Sequence, residues 1–285
     1  IDMTNDKSKF QKEQTSGVVP VIEGRMVQQH RFGAKTYISG DGRSAKWLPC
    51  NGKGRPQYYI KEAFLGDALR ERVSKVRAGY CDIAGQTNER AMMSAVIPAN
   101  VVCGNKVPTI RFLGDNSEQQ LFYWIGITNS FVFDWLIRRV ISTTVNYFLL
   151  FSIPMPNISL DHPLAQDIIS ATKTLSKMNG EYYTASEMQH LRAKIDVAVA
   201  RAYGVSFSEL ELILQDFPLL DRAQLPLREE KRSTITRDLL LSVAEESYET
   251  GTHYYSDRVR AAQTLMAKAY IPSEMACLCE RRKKQ

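Results

Sequence analysis

Histidine is scarce. The four residues (His30, His162, His190 and His253) lie far apart, with no HExxH or HxH spacing. That argues against a helix-borne metal hydrolase. The five cysteines (Cys50, Cys81, Cys103, Cys277 and Cys279) are odd in number and scattered. No pair of CxxC motifs occurs, and Cys277 with Cys279 supplies too few ligands for zinc. Such usage fits a reduced, cytoplasmic compartment. The stretch "SGDGRSAKWLPCNGKGRP" is rich in glycine but lacks GxxxxGK[ST] spacing, and no GxGxxG follows a strand. Phosphate-cradling nucleotide loops are therefore missing. No GxSxG elbow occurs either. Asp115 and Glu118 are the nearest acid pair to a nuclease centre, without a strand-borne lysine beside them. The chain does not support catalysis or a metal site of its own.

No signal peptide is visible at the start. One apolar run, "LFYWIGITNSFVFDWLIRRVI" (121–141), is long enough to span a bilayer. Asp134, Arg138 and Arg139 near one end, and Thr128, Asn129 and Ser130 in its middle, favour a buried or amphipathic helix instead. The first residue is Ile1, so the chain reads as a piece of something longer or as a processed chain.

The chain does contain a core and a charge imbalance. At 285 residues and 44% hydrophobic it has material for two domains. Residues 1–112 hold 18 Lys/Arg against 10 Asp/Glu, whereas 113–285 hold 19 against 21. The basic excess thus belongs to the first part alone. Between Gly24 and Ile60 seven cations face a single acid, Asp41, with Phe32, Tyr37, Trp47, Tyr58 and Tyr59 interleaved. Cations among stackable rings suit a phosphate backbone and exposed bases. An ordinary strand-and-loop segment with inward aromatics is the plainer alternative.

Periodicity and punctuation predict an α+β fold: a mixed small-sheet recognition domain followed by a helical C-terminal domain. Residues 1–20 are a polar lead-in, 21–158 the recognition domain and 159–285 the helical domain. A charged helix is expected over 61–77, then short strands around Cys81, Val96 and Arg111. The run 121–141 reads as one helix, and "STTVNYFLLFSIPMP" as extended chain. Further on, Pro163 opens a helix ending near Lys177, and Ser186 caps a run through Tyr203 that Gly204 stops. "SFSE" at 206–209 is a capping box. "ITRDLLLSVAEES" and a final helix capped by Ser256 complete the array.

The segment "DIAGQTNERAMMSAVIPANVVCGNKVP" resembles part of the C-terminal portion of large adenine-specific DNA methyltransferases, of type IIG-like restriction–modification and phage-defence systems. "IDMTNDKSKF", "VIEGRMVQQHRF", "NSFVFDWLIRRVISTTVNYFLLFSIPMP" and "IDVAVARAYGVSFSELELILQDFP" resemble further segments of the same family, in the same order. Together they cover most of residues 1–220. The resemblance implies a division of labour. The family's methyltransferase core, with its S-adenosylmethionine loop and Asn/Asp-Pro-Pro-Tyr/Phe motif, lies upstream. This chain corresponds to the target-recognition and helical part. It implies double-stranded DNA as partner, an upstream methyltransferase core, and other defence subunits as further candidates. No membrane partner and no cofactor of its own are expected.

The candidate DNA-binding residues are Arg43, Lys46, Lys53 and Arg55 in the glycine-rich loops, for phosphates. Asn88, Arg90, Lys106, Thr143, Thr144 and Asn146 are candidates for a base-facing surface. An amide matches an adenine edge and a guanidinium matches guanine. For Thr87–Arg90 a structural reading stands beside this one, with Thr87 and Asn88 capping a turn and Glu89 and Arg90 paired to a neighbouring strand. The rival function is a helical protein-interaction module that docks other subunits without reading bases.

Overall fold

The computed structural model describes residues 1–269, apart from 51, 53, 86, 87, 178–184, 223, 225, 228 and 229. The fold is α+β, with nine helices and eleven short strands among those residues. Its contacts divide the chain into two units, Ile1–Pro218 and Leu219–Gln285.

In the first unit the strands make several small sheets. β1 (Phe10–Gln11), β7 (Tyr58–Lys61), β2 (Val18–Ile22) and β10 (Val102–Cys103) form one, in that order. Pro20 is tolerated in β2 because β10 reaches only Val21 and Ile22. A second, antiparallel sheet joins β11 (Thr109–Ile110), β8 (Arg77–Tyr80) and β9 (Ser94–Ile97). Two hairpins stand as separate pairs: β3 (Val27–Gln28) with β4 (Arg31–Phe32), and β5 (Lys35–Ser39) with β6 (Lys46–Pro49). The charged run 61–77 is broken up. It supplies the end of β7, a 3-10 turn at Glu62–Phe64, the short helix α1 (Asp67–Val73) and the start of β8. Gly66, at the N-cap of α1, separates turn from helix.

The run 121–141 is two helices rather than one. α2 (Ser117–Thr128) ends at Asn129, and Ser130 caps α3 (Phe131–Ile137) by accepting from Phe133 N at 3.2 Å. Asn129 turns its side chain to the edge of β9, donating to Ser94 O at 2.9 Å and accepting from Ser94 N at 3.0 Å. Its hydrophobicity also has a cause. α2 lies against β8 and β9 on one side and against α5 (Pro163–Lys177) on another, so most of its faces are buried. A Cβ at Gly126 would come within 2.5 Å of Ile168, so the close approach of the two helices at this point needs a glycine. Each of Ile125, Ile127 and Ile168 is fully buried, contributing about 1.5–3 kcal/mol. No helix among the described residues is long and apolar enough to cross a membrane.

The expected extended stretch after Val145 is instead a helix, α4 (Tyr147–Ser152), because Asn146 caps it. α5 buries Ala165, Ile168, Ile169, Thr172 and Leu175, the stripe of an amphipathic helix. α6 (Ala185–Ala202) packs on α5, and Gly204 closes it with a left-handed φ of 74°. Ser206 and Glu209 form the capping box of α7 (Phe207–Gln215). The division of contacts falls at Pro218, not at 158/159. α5 and α6 share one core with Ala78, Tyr80 and Trp124, so the sheet and these helices are one body to Pro218.

In the second unit α8 (Ile235–Ser247) packs on α9 (Tyr254–Ala269). Arg258 is its polar centre, bonded to Asp238 at 2.9 Å and to Thr234 at 2.9 Å, and ion-paired with Glu230. Ser256 lies inside α9 rather than at its cap, and its hydroxyl donates to Glu245 at 2.9 Å.

Candidate nucleic-acid interface

The first group of candidate residues gathers on the β5–β6 hairpin. Its strands pair Thr36 with Leu48 and Tyr37 with Trp47, and a register shift falls between Tyr37 and Ser39. Tyr37 meets Trp47 edge-on at 5.5 Å, and Arg25 lies over the Trp47 ring at 5.0 Å. These rings hold the hairpin's inner face. The tip is a short 3-10 turn, Gly42–Ser44, closed by reciprocal Asp41 and Ser44 bonds. Tyr37 Oη donates to Gly40 O at 2.6 Å and ties the tip to the strand.

Arg43 sits at that tip, Lys46 opens β6, and Arg55 runs beside β5, where its N–H donates to Thr36 Oγ1 at 3.0 Å. All three are exposed, and none is ion-paired among the described residues. The nearby acid, Asp41, is engaged by Lys12 at 2.6 Å. Lys53 lies outside the described residues.

A second group lines a backbone ladder. Ala84 N donates to Thr143 O at 3.0 Å, Ile83 bridges Thr144, and Val145 N donates to Asp82 O at 2.8 Å. On the other side Asp82 N donates to Lys106 O at 3.2 Å. Lys106, Thr143 and Thr144 are thus brought together on neighbouring segments. Lys106 is half-exposed and its Nζ pairs with Asp82 at 3.2 Å, so part of its charge is already met. Asn146 does not offer its amide oxygen outward. That atom accepts from Leu149 N at 2.9 Å as the cap of α4. Beyond it Phe148 is 82% and Phe151 66% exposed, with Tyr147 stacked on Phe151 at 5.9 Å.

The cluster around Arg90 has a different fate. Arg90 is buried. Its Nε donates to Asp134 Oδ2 at 2.8 Å, its Nη2 to Asn129 O at 2.6 Å, and its guanidinium lies over the Phe131 ring at 4.0 Å. Asp134, fully buried on α3, also accepts from Ala91 N at 2.9 Å and from Arg138 Nε at 2.6 Å. Arg138 in turn donates to the carbonyls of Asn88 and Glu89, both at 2.8 Å. Arg90's Nε and one Nη are therefore used inside the protein rather than on a base-facing surface, and its acid partner lies on a helix, not on the neighbouring strand of the structural reading. Asn88 is exposed, but its backbone belongs to the same clasp. Thr87 lies outside the described residues.

Around this clasp sit groups that the sequence reading missed. Asp196, on α6, accepts from Phe131 N at 2.7 Å, and burial pushes its carboxyl up to about 7 against the pull of Arg90 and Arg192. Burial, with Arg31 and Arg90 nearby, lowers Arg192 to about 10. His30 is buried at a left-handed φ of 57°, and burial holds its imidazole well below the usual range. The i,i+4 spacing of Asp134 and Arg138 was a usable signal for the clasp. Nothing local marked Asp196 or His30.

No family model matches the chain, and no curated protein matches it. Glu118, of the acid pair considered for a nuclease, is taken up by Lys173 at 2.7 Å. No group of three or more metal-ligating side chains occurs among the described residues.

Proposed function

We propose that this chain is the DNA-recognition part of a site-specific N6-adenine DNA methyltransferase of a restriction–modification or phage-defence system, working in the cytoplasm. The observation that carries the reading is the trio Arg43, Lys46 and Arg55: three exposed cations, two on the β5–β6 hairpin and one on the segment beside β5, with no acid engaging them among the described residues. Cations left exposed and unpaired suit phosphates, which position a protein on the duplex. The ordered resemblance of residues 1–220 to the adenine methyltransferase family supports the same reading. In it, S-adenosylmethionine and the methyl transfer belong to an upstream core, which also receives the flipped adenine. This chain grips the duplex and reads it.

Selection from a random duplex pool tests the proposal. The chain should enrich a defined sequence. A pool that emerges unchanged, with no duplex retained, contradicts it. One observation favours the second reading, a protein-docking module: Phe148 and Phe151 on α4 present exposed aromatic surface, of the kind enriched at protein interfaces.

A further inference from the structure

We propose that the β5–β6 hairpin enters the DNA major groove as a two-stranded ribbon, and that Ile38 and Leu48 on its outer face read thymine C5-methyl groups. The inference rests on the DNA-recognition reading and says which element reads bases. Successive side chains of a strand point to opposite faces. Tyr37 and Trp47 take the inner face, so Thr36, Leu48 and Lys46 take the outer one. The register shift after Tyr37 falls at Ile38. Ile38 is 50% and Leu48 57% exposed.

Single exposed aliphatics need no explanation. These two are different, because they share a ribbon with Arg43 and Lys46, and Arg55 runs beside it. A purely apolar partner would bury those cations unpaired, at high cost. A major groove matches both chemistries. Its floor carries thymine methyl groups that accept apolar contact, and its rims carry phosphates. The dimensions agree: paired strands lie about 4.8 Å apart, and the groove is about 12 Å wide and admits a β-ribbon. The tip is also fixed before binding by the Asp41–Ser44 turn and the Tyr37–Gly40 bond, which lowers the ordering cost.

The test compares a duplex enriched from the random pool with the same duplex carrying uracil for thymine. Uracil differs only by the lost methyl. Wild-type chain should bind the uracil duplex about fourfold more weakly for each methyl contacted. The Ile38→Ser/Leu48→Ser chain should bind both duplexes equally, with its salt dependence unchanged. Equal binding of both duplexes by the wild type, with sequence preference retained, overturns the ribbon assignment and leaves DNA recognition standing. Failure of the wild type to bind any duplex overturns both.

Discussion

Removing the Arg90 guanidinium would leave Asp134 Oδ2 with backbone donors only and strand part of a buried charge. Arg138 still pairs with Asp134, so Arg90→Ala should cost about 1.5–3 kcal/mol of stability, the worth of a hydrogen bond to a charged group. In the folded fraction its base preference should match that of the wild type. A melting curve and a base-substitution panel on the same variant check both halves. A shifted preference without a stability loss would contradict the placement. Asp196 gives a pH signature. Its folded pKa of about 7 lies above the ordinary 3.8, so the folded state holds an extra proton between those values. Its contribution is full below about 4 and is lost as pH rises through about 7. The stability difference between wild type and Asp196→Asn should fall with rising pH across that window, by up to about 1.4 kcal/mol per unit. Denaturant titrations at several pH values read it. A difference independent of pH would contradict the burial argument.

Among the elements, α4 hangs on one cap. Asn146→Ala should cost about 1 kcal/mol, while Asn146→Asp, which keeps an acceptor for Leu149 N, should stay near wild type. Thermal melts of the pair check this, and equal losses in both variants would contradict a capping role. The β5–β6 hairpin carries the phosphate contacts. Arg43→Gln, Lys46→Gln and Arg55→Gln together should weaken binding about equally for all duplexes. They should also reduce the slope of log affinity against log salt by about 1 per residue. An unchanged slope would remove the hairpin from the interface. Legibility differed between these elements for physical reasons. The capping box at Ser206–Glu209 and the stop at Gly204 use local bonds, so the residues announce them. The break at Asn129–Ser130 depends on Ser94, thirty-five residues away, and the apolar run hid it. The aromatics of α4 read as extended chain because the helix is only six residues long and its one local mark is the Asn146 cap.

For the whole molecule, charge composition was legible and its use only partly so. The basic excess of residues 1–112 is divided by the fold. Arg77 is buried against the carbonyls of Val101 and Lys75, Arg90 is clasped by Asp134, and Lys106 leans on Asp82. Arg43, Lys46 and Arg55 stay outside. Composition counts all of these cations alike, and only packing separates structural from available ones. A change from strands to helices near 158 is likewise not a change of core, because α5 and α6 share theirs with the sheet and α2. The measurement that tests the central claim most directly is the affinity of the intact chain for a duplex across a range of salt concentrations. Three available cations at one interface predict a slope of log affinity against log salt of about −3 or steeper. A flat dependence, or no duplex binding at low salt, would contradict DNA recognition and leave the exposed aromatic face of α4 as the better guide.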